Sequence, residues 1–173
     1  MVGSPESPAP YQAELAFPKR QFNKPVVITS SPAWDRLFVA EQSGKVYSFE
    51  NTRDGESVDL VIDLKQARPD LQAIYGLTFH PKIDQNGFVF VCYIVSGGDG
   101  DGTRVSRFKL ASSDPPVLDP ATELQLVTWR SGGHNGGSLN FGPDGMLYIS
   151  SGDAEAPYPP DGLKTGQDIS DLL

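Results

Sequence analysis

The chain carries two histidines, and they stand in different settings. His134 lies in Ser131-Gly132-Gly133-His134-Asn135-Gly136-Gly137, where glycines flank a His-Asn pair on both sides. Glycine lets backbone pass close to a ligand, yet it loses the most entropy on folding, so such a loop is a costly way to build a mere turn. An imidazole held there can take a proton near neutral pH. Base chemistry and an ordinary loop histidine are both open readings. His80 precedes Pro81, which biases it to an extended strand end and a structural role. Asp153, after Ser151-Gly152, either faces a pocket or ends a strand, and reads as a strand end. The run Ser96-Gly97-Gly98-Asp99-Gly100-Asp101-Gly102 spaces hard carboxylates with glycine as calcium loops do, but it lacks a bidentate Glu and reads as a hairpin tip. Cys92, the single cysteine, sits in the apolar run Phe88–Tyr93 and reads as packing. The sequence contains no Gly-rich phosphate loop, no Cys/His metal spacing and no Gly-x-Ser-x-Gly turn, so no metal ligand set is assigned.

The elements that must position these residues are strands. Short runs rich in Val, Ile, Phe and Tyr, bounded by Gly, Pro, Asp or Asn, predict strands over 25–29, 36–40, 45–49, 60–64, 74–79, 88–94, 104–110, 124–129, 138–141 and 146–150. An outer strand is expected around Tyr11–Phe17, a short turn at Gln66–Leu71, and the beginning of a helix or strand at Gln167–Leu173. Helical periodicity is otherwise nearly absent, so the chain reads as all-β.

A weak repeat overlies the strands. Turns at Ser30–Arg36, His80–Gly87 and Gly142–Gly145 each deliver a strand of apolar, aromatic and Val/Ile residues. Their recurrence every 50 to 60 residues or so is near the spacing of four-stranded propeller blades; a plain β-sandwich is the rival reading. Trp34 and Trp129 are expected in blade cores. The chain ends as an apolar stretch begins, which reads as an incomplete ring. Gly and Pro together make about a fifth of the 173 residues, against a usual share of about 12%, and they fall between the apolar runs as turn formers. A net charge of −8 argues against a nucleic-acid surface, which needs a basic stripe. No run approaches the roughly 20 apolar residues of a membrane helix, and the first residues lack a signal-peptide pattern.

The stretch from His134-Asn135-Gly136-Gly137 through Gly142-Pro143-Asp144-Gly145 to Ser151-Gly152-Asp153 resembles the signature of the glucose/sorbosone dehydrogenase family. Tyr75-Gly76-Leu77-Thr78-Phe79-His80-Pro81 is similar to an earlier family strand, Leu-Gly-Leu-Ala-Phe-His-Pro. The segment Phe38–Val46 is similar to the family's first blade, and Gln167–Leu173 to a stretch that continues into a further strand. The resemblance runs from Val26 to the last residue. It implies a six-bladed β-propeller of which this chain holds roughly the first three blades, with residues 1–24 a Pro-rich lead-in and 25–173 the partial propeller. It further implies pyrroloquinoline quinone (PQQ) on the ring axis with calcium beside it, a sugar as the small-molecule substrate, and a separate electron acceptor. In that scheme His134 takes the proton of the sugar's anomeric hydroxyl while hydride passes to the quinone, the cofactor supplying the redox chemistry. Gln72, one position off the family's sugar-contacting Gln, is carried over as a substrate-binding residue, and Asn135 as a cofactor-binding one. The remaining holders of PQQ and calcium fall beyond residue 173, so this stretch alone is expected to be inactive. Gly133 stands where glucose oxidisers carry an Asp that touches the sugar. A hedgehog-interacting-protein-like branch implies the alternative, a non-enzymatic propeller that binds a carbohydrate or a protein. A periplasmic or extracellular location is implied by the same resemblance.

Overall fold

Alternation of apolar and polar residues makes each run pair on its edges and bury one or both faces. In the computed structural model, which describes residues 11–97, 100–155, 158, 162, 164 and 168–170, these runs form three antiparallel sheets. The first holds β1 (Pro25–Ser31), β2 (Trp34–Glu41), β3 (Lys45–Glu50) and β4 (Asp59–Asp63) in chain order. The second holds β5 (Leu71–Phe79), β6 (Phe88–Val95), β7 (Thr103–Ser113) and β8 (Pro116–Trp129), also in chain order. The third is the hairpin of β9 (Gly136–Phe141) and β10 (Leu147–Ser151). Two four-stranded meanders and the opening hairpin of a third are a set of propeller blades. Two single-turn helices, α1 (Leu64–Ala67) and α2 (Ile83–Asn86), join β4 to β5 and β5 to β6. Asp63 caps α1 by accepting from the Gln66 amide at 3.1 Å.

Blade one packs on blade two through an apolar seam. Phe38, Ala40, Val46, Val61 and Leu64 share one buried cluster with Ile74, Leu77, Phe79, Val91, Tyr93 and Phe108, and the rings of Phe38 and Phe79 lie 4.4 Å apart. Blade two meets the third hairpin in a second cluster, where Phe90, Cys92, Val105 and Trp129 surround Leu139. Trp129 is buried there, and Trp34 packs half-buried on the first cluster, as blade-core residues. His80 closes the β5–β6 turn: its Nδ1 accepts from the Lys82 amide at 3.0 Å and meets Asn86 Nδ2 at 2.8 Å. Its ring lies among Phe88, Phe90 and Phe141, which fits the structural role expected of it.

The strand expected at Tyr11–Phe17 is not formed. Pro18 removes a donor, and the segment instead turns back at Arg20, whose amide donates to Phe17 O at 3.2 Å. Phe17 and Phe22 lie on Phe49, and the Arg20 guanidinium stands 4.4 Å over the Phe49 ring, so the lead-in adheres to blade one through its side chains. The strand expected from Leu124 starts at Pro116, because the whole β7–β8 hairpin pairs, from Ser113↔Pro116 to Thr103↔Trp129. A partly buried polar group fastens the β4–β5 crossover to this blade. Arg68 Nη1 donates to Glu123 Oε2 at 2.9 Å, and Glu123 also accepts from Tyr93 and Ser106. Burial, reinforced by the Glu123 contact, pushes the Tyr93 phenol up to about 12.

The innermost strands of the blades, β1, β5 and β9, line a cleft of about 280 Å3. Their approach depends on Gly76: a Cβ there would stand 2.0 Å from the Gly137 carbonyl oxygen. Gly76→Ala is expected to lower the unfolding free energy by about 1–3 kcal/mol, the range for overpacking, as read from urea denaturation. Beside this contact, burial pushes the Cys92 thiol up to about 12. Since the thiolate is the nucleophile, a disulfide reagent at pH 8 is expected to leave Cys92 intact in the folded chain and to react promptly once denaturant is added; prompt labelling of the folded chain contradicts the burial.

Candidate active site at the crossover into the third blade

His134 sits on the crossover from β8, the outermost strand of blade two, to β9, the innermost strand of the third. The β9–β10 hairpin sets what faces it. Pairing runs Leu147↔Phe141, Tyr148↔Asn140 and Ile149↔Leu139, then shifts by one residue at a bulge to Ser151↔Gly136. Carried two residues further, the shifted register brings Asp153 opposite His134; without the bulge Ala154 would stand there. Bulges re-aim side chains in this way. The ladder does continue past the strand ends. Gly152 N donates to Asn135 O at 3.1 Å, Ala154 N to His134 O at 2.9 Å, and His134 N to Glu155 O at 3.1 Å. Ala154 follows Asp153 with φ 54, a left-handed conformation rare for a residue with a side chain and frequent at functional sites.

The pair so formed sets an imidazole against a carboxylate. His134 Nδ1 lies 3.1 Å from Asp153 Oδ1. That oxygen also accepts from the Glu155 amide at 3.0 Å. An ionised carboxylate only accepts, so Nδ1 is the donor of this contact, and in the neutral ring Nε2 keeps its lone pair. The His134 side chain is 48% exposed and Asp153 23%, so the ring reaches solvent while its partner is half-covered. Asp153 is thus both a strand-end residue and the partner of His134. The signal that could have found it is the hairpin register, and the bulge hid it.

The structure places the other candidates around the same crossovers. Gln72 is exposed near the start of β5, in the bulge between Leu71 and Ala73. Asn135 is buried, and its amide is committed to the loop: Oδ1 accepts from Gly132 N and Nδ2 donates to Gly132 O, each at 2.7 Å. Tyr75, which the sequence did not single out, occupies a second bulge of β5, between Ile74 and Gly76, and lines the axial cleft with Thr29, Ser138 and Asn140. The cleft lining holds hydroxyls, one amide and aliphatic carbons with no charged side chain.

This lining offers no counter-charge to the cofactor that the resemblance implies. PQQ presents carboxylates, and β1, β5 and β9 carry no Lys or Arg to meet them. Among the described residues no three His, Cys, Asp or Glu side chains gather where they could hold a metal. The acidic Ser96–Gly102 tip lies partly outside the described residues, at 98–99. Among the described residues the site thus joins an imidazole to a carboxylate, with no gathered set to hold calcium and no cation on the innermost strands to meet PQQ. Among the described residues no helix is long and apolar enough to cross a membrane.

The family model for glucose/sorbosone dehydrogenases matches residues 22–172. The chain belongs to the glucose/sorbosone dehydrogenase family. Among solved structures, a PQQ-bound aldose sugar dehydrogenase from Streptomyces coelicolor superposes with a TM-score of 0.69 at 18% identity, over 88% of this chain and 43% of that one. An oxidoreductase from Thermus thermophilus, described as a glucose dehydrogenase, gives 0.63 at 24% identity over 87% and 42%. Both likenesses are of fold. The mouse hedgehog-interacting protein is 29% identical over 133 residues, 68% of this chain, which spans 19% of that protein's length.

The loop's tight seating is testable in this family member. A Cβ on Gly132 would stand 1.5 Å from the Ala154 carbonyl oxygen. Gly132→Ala is expected to open the ladder, with faster hydrogen exchange at the Gly133, His134 and Ala154 amides and unchanged exchange in β5–β8; unchanged exchange at the loop would contradict the arrangement.

Proposed function

We propose that the protein containing this stretch is a sugar dehydrogenase in which His134 acts as general base. The observation that carries this reading is the Asp153 contact at Nδ1, which leaves Nε2 as an exposed acceptor. A sugar hydroxyl placed at Nε2 gives up its proton as the C–O bond becomes a carbonyl, and the hydride on the same carbon leaves for a two-electron acceptor. Asp153 keeps the imidazole in the tautomer that can accept and faces the imidazolium once it forms, the division of labour seen in other His–carboxylate pairs. Family membership and the PQQ-bound relative support PQQ as that acceptor. In this reading the described residues contribute the base, its orienter and the neutral wall of Thr29, Tyr75, Ser138 and Asn140. Gln72, exposed where the chain turns into β5, is the residue proposed to reach the sugar from the neighbouring crossover.

A second reading, a binding propeller for a carbohydrate or protein, is favoured by the hedgehog-interacting relative and by Gly133, which stands where glucose oxidisers carry a sugar-touching Asp.

The deciding measurement is PQQ titration of the full-length protein by absorbance, with and without calcium, followed by dye reduction on a panel of aldoses. Saturable PQQ binding with sugar-dependent dye reduction is expected. His134→Ala should then lower kcat by about 10²–10⁴-fold with PQQ binding kept. Asp153→Asn, which presents an amide N–H to Nδ1 and drives the proton to Nε2, should lower it in the same direction. A full-length protein that ignores PQQ at micromolar concentration rejects the dehydrogenase and leaves the binding propeller.

A further inference from the structure

His134 is exposed and flanked by glycine, yet it meets Asp153 in a defined geometry, so something must hold the loop's shape between the two strands. The backbone ladder to Gly152, Ala154 and Glu155 fixes only one edge of the loop. Its other edge is closed by the Asn135 side chain. Asn135, 7% exposed, folds back on Gly132 and takes both backbone groups of that residue, N to Oδ1 and O to Nδ2, at 2.7 Å each. This two-bond clasp uses an acceptor and a donor on one planar group, which among side chains of this length only the asparagine amide offers. It encloses Gly133 and His134 in a closed ring whose apex is the imidazole. We propose that Asn135 is a positioning residue that sets the His134 tautomer by holding the ring against Asp153, rather than a ligand of the cofactor. The inference rests on His134 as the base.

A purely structural role for Asn135 would have a different signature. Loss of the clasp leaves the blade cores untouched, because the apolar side chains that hold the third hairpin, Leu139, Phe141 and Leu147, belong to the cluster with Phe90, Cys92 and Trp129. The effect should therefore appear at the imidazole before it appears in unfolding.

The test uses nitrogen NMR of the 15N-labelled chain, where the presence of two histidines makes assignment simple and His134→Ala confirms it. Above the pH at which the ring deprotonates, His134 is expected to show a protonated Nδ1 and a bare Nε2. In Asn135→Ala the proton should move to Nε2, the form preferred by free imidazole, while the His80 signals and the thermal midpoint stay nearly unchanged. Asn135→Asp keeps the acceptor for Gly132 N but sets a carboxylate oxygen against Gly132 O; it should lose the same signature, and it serves if the alanine variant fails to fold. Retention of the Nδ1-protonated form in a folded variant overturns the proposal. In the full-length protein the same substitutions should lower kcat on the order of 10²-fold with KM little changed, the cost of misplacing a reacting group. Should turnover survive His134→Ala while the clasp variants still shift the tautomer, the base assignment falls and the positioning stands.

Discussion

No blade in this fold can bury its flat faces by itself, and the seam between the first two shows how the burden is shared. Phe38 and Phe79 meet at 4.4 Å, and around them one apolar cluster draws on β2, β3, β4, β5, β6 and β7 without a boundary between sheets. Hydrophobic burial is non-directional and supplies the driving force. The direction comes from backbone, because the innermost strands must come close enough for Gly76 to lie under the Gly137 carbonyl. The side chains that face the axis are placed by that approach.

The candidate site depends on the seam one step removed. The crossover bearing His134 begins at Trp129, anchored in the second cluster, and ends at Gly137, pressed on β5. Between those fixed points the chain has few residues in which to present an imidazole, and it does so with glycine where atoms would collide and with one amide where a clasp is needed. Polar groups carry the geometry there, as they do at the β4–β5 crossover, where Arg68, Tyr93, Ser106 and Glu123 bond one another under partial burial.

Much of the fold was legible because strands announce themselves by composition and turns by Gly, Pro, Asp and Asn. The Phe88–Tyr93 run, apolar at every position, read as buried packing, and β6 is covered on both faces. What failed was local pattern without a partner: Tyr11–Phe17 has strand-like residues but no neighbour to pair with, and the polar beginning of β8 pairs because a hairpin brings it back on β7. At the site, His134 stood out through its glycines. Asp153 and Tyr75 did not, since both owe their places to bulges, and a one-residue shift in pairing leaves no mark on composition. Asn135 was visible as a polar neighbour of the histidine, but the direction of its amide is a property of the folded loop.

The His134–Asp153 pair is contained within one hairpin and its flanks, and its members are brought together by a single extra residue in one strand. The contact is therefore separable from the scaffold in evolutionary terms. Loss of one residue near Ser150, with the bulge kept, would set Ala154 against the histidine and leave the apolar seams between the blades as they were. One deleted residue would thus take the carboxylate away from the imidazole while sparing the apolar side chains that join the blades.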